Sequence, residues 1–237
     1  MDFELNDDQQ AYREAARQFS RRELAPYAAE WDAQSIFPVE TIRQAGELGF
    51  CGLYTPETAG GLGLSRLDST LIIEELAQGC TSTTAFLTIH NMVNWILASY
   101  ASYAVQKTWL PPMLAGEKLG SYCLTEPNAG SDAASLRTRA HRDGDVYVID
   151  GNKTWITNSL EGNIMAVLVK TDPKTEPAHK GMSLILVEKG HGYEGRKLEK
   201  LGYKGIDTGE LQFDGVHVPA ENLIGAGEGR GLQQILA

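Results

Sequence analysis

The apolar residues of this chain change their period once, and that change sets the fold class. Up to about residue 116 they recur every three to four positions, and from Leu119 onward every second position. The first spacing lines one face of a helix and the second one face of a strand. Helices first and strands second, with no βαβ alternation, predicts an α+β chain in segments. An N-terminal all-α helical domain (residues 1–117) is followed by a small antiparallel β-sandwich or barrel domain (118–228). Residues 229–237 read as the first turns of a further helix.

Within the helical half, Asn6 is an expected N-cap with Gln9 as its capping-box partner. Tyr12, Ala15, Ala16 and Phe19 form the stripe behind it, and Pro26 is expected to break or kink the helix. A second helix is expected from Pro38, burying Val39, Ile42, Ala45 and Leu48 and closing at Gly49. Thr58–Leu64 is glycine-rich but lacks the Gly-Lys-Ser/Thr ending of a phosphate cradle, so it reads as a structural loop. Ser65 and Asp68 cap the next helix, which is expected to bury Leu67, Leu71, Ile72 and Leu76 and to end at Gly79. Thr81–Tyr103 is apolar on more than one face, as a central helix should be. His90, Asn91 and Asn94 interrupt it, either as hydrogen-bonded core groups or as the polar wall of a pocket. Pro111-Pro112 is expected to end the helical half, with Gly116 opening the crossing.

Beyond it, a strand over Val146–Ile149 is expected between turns at Asp143-Gly144 and Gly151-Asn152. Further strands are expected at Ile164–Lys170, Met182–Val187, Glu210–Phe213 and Val216–Val218. Thr171–Gly181 reads as a polar surface loop. A net charge of -10 argues against nucleic acid and anionic membrane as partners. Cys51, Cys80 and Cys123 are odd in number and lack metal-type spacing, so no metal site is expected and the compartment reads as reducing. Residues 1–4 lack a signal segment, and the apolar run at Ala85–Ala98 is broken by polar residues. A cytoplasmic protein is expected, with a mitochondrial matrix protein as the alternative.

Two stretches carry chemistry. Tyr122-Cys-Leu-Thr-Glu-Pro-Asn-Ala-Gly-Ser-Asp132 opens as a strand, breaks at Pro127 and exposes short polar groups in a turn that could hold a polar ligand. Lys153-Thr-Trp-Ile-Thr-Asn158 follows one hairpin later. Together they resemble the acyl-CoA dehydrogenase family, whose signature is (Tyr/Phe)-Cys-x-Thr-Glu-Pro-x-(Ala/Ser)-Gly-Ser-Asp with Trp-Ile-Thr-Asn downstream. The resemblance runs from the first helix to Gly231. Thr88-Ile-His-Asn-Met92 is similar to a segment of the isobutyryl-CoA branch of that family, which serves valine degradation.

The resemblance implies FAD as cofactor and dehydrogenation of a short branched acyl-CoA thioester. A base takes the α-proton, the flavin takes the β-hydride, and hydrogen bonds to the thioester oxygen stabilise developing charge. It implies cofactor-binding roles for Tyr122, Cys123, Leu124, Thr125, Gly130, Ser131, Trp155, Ile156 and Thr157. Thr125 would meet the ring edge, Trp155 would cover a ring face, and Thr157 would bond near N5. Ser131 would meet the flavin phosphates or the CoA arm, and Ser131 and His90 are the expected substrate contacts. Electron-transfer flavoprotein is the implied electron acceptor, and a homotetramer the implied assembly. The family's glutamate base lies in a C-terminal helical domain that the chain is expected to lack. No catalytic residue is therefore assigned, neither Glu126 nor Glu161, and the chain alone is expected to be inactive. An acyl-CoA oxidase or flavin monooxygenase on the same scaffold, or a non-catalytic binding fragment, remain alternatives. Asn128 departs from the pattern, since the family usually has glycine there. Gly225–Gly231 only superficially suggests a dinucleotide fingerprint, because the required helix and second strand do not follow it.

Overall fold

The computed structural model describes residues 4–237, so the reading of residues 1–3 lies outside the described residues. Helix α1 (Asp7–Phe19) starts as its sequence predicts. Asn6 Oδ1 accepts the Gln9 N–H at 2.8 Å, and Gln9 Oε1 accepts the Asn6 N–H at 3.1 Å. One wide π turn (Ser20–Leu24) carries the chain towards α2 (Ala28–Gln34) and then α3 (Val39–Glu47). Helices α4 (Arg66–Gly79), α5 (Thr81–Tyr100) and α6 (Tyr103–Leu114) complete the helical half. Phe19, Ile42, Ile72, Leu76 and Phe86 form its core.

Some expected burial does not occur. Val39 and Leu48 are 37% and 51% exposed, and Leu67 is 62% exposed. Helix α3 has only nine residues and turns just Ile42 and Ala45 inward, leaving the ends of its stripe outside the core. Gly49, at φ 79°, closes α3 as expected. Pro111 and Pro112 lie inside α6 instead of ending the helical half. Near a helix end each removes only one ladder bond. The Ala115 N–H still reaches the Pro111 carbonyl at 3.1 Å, and the chain leaves through Gly116 at φ 70°.

The second half contains β1 (Gly120–Cys123), β2 (Arg139–Asp143), β3 (Val146–Thr157), β4 (Ile164–Lys170), β5 (Met182–Glu188), β6 (Glu194–Lys197) and β7 (Thr208–Pro219). A short helix, α7 (Gly231–Ile235), follows. The sheet order is β1-β4-β2-β3-β7-β6, with β5 also paired to β4. Helices before strands agrees with the sequence. Four pairings among these strands are antiparallel, but β1–β4 and β2–β4 are parallel, so the sheet is mixed where a wholly antiparallel one was expected. Periodicity fixes a strand's faces and not its partner's direction.

Two expected breaks are also absent. Gly151-Asn152 is a bulge inside β3 and not a turn, and β7 runs unbroken through Asp214-Gly215. At φ 146°, Gly151 brings the chain so close that a Cβ there would sit 2.6 Å from Thr138 Cα. Removing the break lets β3 continue as far as Thr157. β4 and β5 are covered on both faces and read as continuous apolar runs. One face packs on Val93, Ile96 and Leu97 of α5, and the other on Tyr147, Ile149 and Phe213.

The three polar residues of α5 are core groups. His90 is fully buried; its Nε2–H reaches the Met113 carbonyl at 2.8 Å, and its Nδ1 accepts the Gly120 N–H at 3.0 Å. It ties the end of α6 to the start of β1 and does not face a pocket, which corrects the substrate role expected of it. Asn91 accepts the Leu53 N–H at 2.7 Å and donates to the Phe50 and Leu87 carbonyls, and Asn94 donates to the Cys51 carbonyl. Burial holds the His90 imidazole down to about 4. The unfolded chain therefore takes up a proton below about 6.5 that the folded chain refuses. Stability should fall as pH drops from about 6.5 to 4, by up to roughly 3 kcal/mol from this group. His90→Leu should remove that slope while lowering stability near neutral pH by about 2–4 kcal/mol, because two buried backbone groups lose partners. Urea unfolding at several pH values measures both effects.

Candidate functional site

The residues after β1 and the last third of β3 lie side by side. The Thr154 N–H donates to the Thr125 carbonyl at 2.9 Å. Behind that bond, the Lys153 ammonium reaches the Leu124 carbonyl at 3.0 Å and Glu126 Oε1 at 2.9 Å. The Glu126 carboxylate also accepts the N–H groups of Arg137 at 2.6 Å and Thr138 at 2.9 Å. Glu126 and Ala129 exchange backbone bonds of 2.9 and 3.1 Å, closing the turn. One buried ion pair thus joins both motifs and hangs the loop of residues 127–136 from them. Burial opposes ionisation of Glu126, but Lys153 and the two N–H donors outweigh it and hold the carboxyl below its usual range. Burial pulls the Lys153 ammonium down, with Glu126 opposing.

The end of β3 is irregular where the motif is densest. Lys153 pairs with Leu211 and Ile156 with Gly209, so β3 carries one residue more than β7 across that interval. This bulge puts Trp155 at φ 58° and turns its indole outward, 61% exposed. Asn158 follows at φ 61°. A non-glycine residue in the left-handed region costs of order 1–2 kcal/mol, and such strain concentrates at ligand clamps. Ser121 Oγ donates to the Thr157 and Asn158 carbonyls at 3.0 and 2.5 Å, fixing the segment from below.

The expected cofactor residues separate by strand alternation. Tyr122, Leu124, Thr125 and Thr157 are half-exposed beside Trp155, while Gly130 and Ser131 are exposed on the loop. Cys123 and Ile156 are buried. Their side chains point into the core, so the cofactor-binding role expected of them falls to their backbone. Burial pushes the Cys123 thiol up to about 12. Among the described residues the left-handed non-glycine positions are Ser35, Trp155, Asn158 and Tyr203, and Asn128 is not one of them, so its replacement of glycine strains nothing. A Cβ added at Gly130 would meet nothing within 4 Å.

These residues fit a planar flavin ring: an exposed indole for one face, two threonine hydroxyls for an edge, and an open loop beyond. The Tyr122 hydroxyl donates to the Ile235 carbonyl. Ile235 also lines a cavity of about 420 Å³ between α4, α5 and α7, with Thr88, Met92 and Trp95. The segment Thr88–Met92 therefore does contribute to a pocket, through its two ends, while His90 and Asn91 between them face the core. Sequence reasoning gave no role to Lys153, Ser121 or Asp207. A lone cation in a strand motif with no other charged residue was the one signal available for the first.

Two family models match: the acyl-CoA dehydrogenase N-terminal domain over residues 6–117 and the middle domain over residues 121–216. Mitochondrial isobutyryl-CoA dehydrogenase of Bos taurus is 44% identical over 96% of this chain and 54% of its own length. (2S)-Methylsuccinyl-CoA dehydrogenase of Cereibacter sphaeroides is 36% identical over 98% of this chain and 44% of its own. The glutaryl-coenzyme A dehydrogenase complex with glutaryl-CoA superposes with a TM-score of 0.93 at 33% identity, covering 99% of this chain and 60% of that one. The chain spans about half the length of the curated relatives it matches. The fold, the two motifs and these matches together make this chain a member of the acyl-CoA dehydrogenase family.

Proposed function

We propose that this chain supplies the flavin-binding and part of the thioester-binding surface of an FAD-dependent acyl-CoA dehydrogenase acting on a short branched acyl-CoA of the isobutyryl type. Trp155 carries the reading: a strained backbone that presents an exposed indole beside two threonine hydroxyls is explained by a flat ligand lying against it. Bound there, FAD would supply the hydride acceptor that α,β-dehydrogenation needs. The chain's own residues orient and dry the site. Trp155 excludes water from one face, and Thr125 and Thr157 offer hydroxyls at the edge. Glu126 is locked by Lys153 and two amides, so it is not free to take an α-proton. The isobutyryl preference is supported by the 44% identity to isobutyryl-CoA dehydrogenases and by Thr88 and Met92 at the cavity. Electron-transfer flavoprotein as acceptor and a homotetrameric assembly belong to the same proposal.

Titrating FAD into the purified chain tests it. Quenching of tryptophan fluorescence with retention of yellow colour through gel filtration is expected, and Trp155→Phe should remove most of the quenching. Isobutyryl-CoA should then perturb the bound flavin's visible band more than octanoyl-CoA does. Failure to retain FAD would overturn the reading.

A further inference from the structure

The segment Trp155–Thr157 is held at its front by Thr125 and Lys153, but with Trp155 and the following Asn158 both left-handed it needs a hold on the far side as well. The turn that follows runs from Asn158 to Gly162 and leads into β4. Three of its amides go to a single residue. The Asn158 N–H donates to the Asp207 backbone carbonyl at 2.7 Å, and the Leu160 and Glu161 N–H groups donate to Asp207 Oδ2 at 2.6 and 3.0 Å. Two successive amides on one carboxylate oxygen form a small anion nest whose occupant is a side chain. Asp207 is itself fixed: the Lys200 ammonium bonds the Ile206 carbonyl at 2.6 Å and Thr208 Oγ1 at 2.7 Å, and Thr208 pairs with Thr157. Asp207 is buried, and its Oδ1, the Asn158 side-chain carboxamide, Ser159 Oγ and the Tyr193 hydroxyl are all buried without protein partners. A charged group buried beyond what the turn alone requires marks a place where geometry matters more than economy of burial.

We propose that Asp207 is a positioning residue for the ring-covering segment: by gathering the amides of Asn158, Leu160 and Glu161 it sets the conformation in which Trp155 and Thr157 are presented. The flavin part of this inference rests on the proposed function, whereas the placement of Trp155 can be read without any flavin.

The test replaces tryptophan with 5-fluorotryptophan in the whole chain and follows Trp155 by fluorine NMR, its resonance assigned with Trp155→Phe. Asp207→Ala should shift or split the Trp155 resonance at temperatures well below unfolding, leave those of Trp95 and Trp109 in place, and weaken FAD binding by about tenfold or more. Asp207→Asn keeps an acceptor oxygen for the two amides, and should restore both the resonance and FAD affinity to within about twofold. A lower Tm with an unmoved Trp155 resonance would overturn the proposal, as would Asp207→Asn behaving like Asp207→Ala. If the unmodified chain binds no FAD, the proposed function fails, and the fluorine resonance alone still decides the role of Asp207.

Discussion

Lys153→Met should cost the chain about 3–5 kcal/mol, a Tm fall of roughly 10 °C for a chain of this size. The ammonium is fully buried and its partner nearly so. Removing it strands the Glu126 carboxylate with two backbone N–H groups and no counter-charge. It also frees the Leu124 carbonyl, so the two motif segments lose their shared tie. Glu126→Gln should be milder, since the amide oxygen can still accept from Arg137 and Thr138, although Lys153 is then a buried cation without its anion. The pH dependence has a definite sign. Glu126 is held below its ordinary value of 4.5, so its contribution is complete above that pH and is lost as pH falls through the lower folded value. Thermal unfolding followed by circular dichroism measures all of these effects. A loss below about 1 kcal/mol for Lys153→Met would mean the pair is not buried as described.

Trp155→Gly should move stability and cofactor affinity in opposite directions. Glycine adopts φ 58° without steric cost, so about 1 kcal/mol of left-handed strain disappears, while the lost indole, 61% exposed, contributes little to packing. The folded chain should therefore be as stable as before or slightly more so. FAD affinity should fall by roughly ten- to a hundredfold, the equivalent of about 1.5–3 kcal/mol of aromatic contact with the ring. Calorimetric Tm and an FAD titration on the same preparation check both halves. Equal FAD affinity in the two proteins would remove Trp155 from the site. A marked loss of stability would show that the indole packs more than its exposure suggests.

Much of the local structure was legible because its causes are local. The capping box at Asn6, the Ser65–Asp68 cap and the αL glycine at position 49 each act within three residues of a helix end, so the sequence contains the whole interaction. The burial errors share one cause. Val39, Leu48 and Leu67 keep the right period but sit where no neighbour covers them, and period alone cannot report a neighbour. The missed continuity of β3 arose at Gly151, where glycine permits a close crossing of Thr138 as readily as it permits a turn.

At the site, residue types were legible and their directions were not. The two motifs marked Trp155, Thr157, Tyr122 and Thr125, all of which keep some exposure to solvent. The same motifs also contain Cys123 and Ile156, which alternation along a strand turns inward. His90 carries a residue type suited to chemistry, yet both its ring nitrogens serve backbone groups in other elements. The sequence alone determined where helices give way to strands, where α1 and α4 start, and which two stretches carry the chemistry, since each depends on neighbours within a few positions. The tertiary structure alone decided that Lys153 closes on Glu126 across 27 residues and that Asp207 collects amides 46 and 47 residues away. Such bonds form only after a mixed sheet has brought distant backbone groups together, and they persist because a buried charge or amide left unpaired would cost more than ordering its partner.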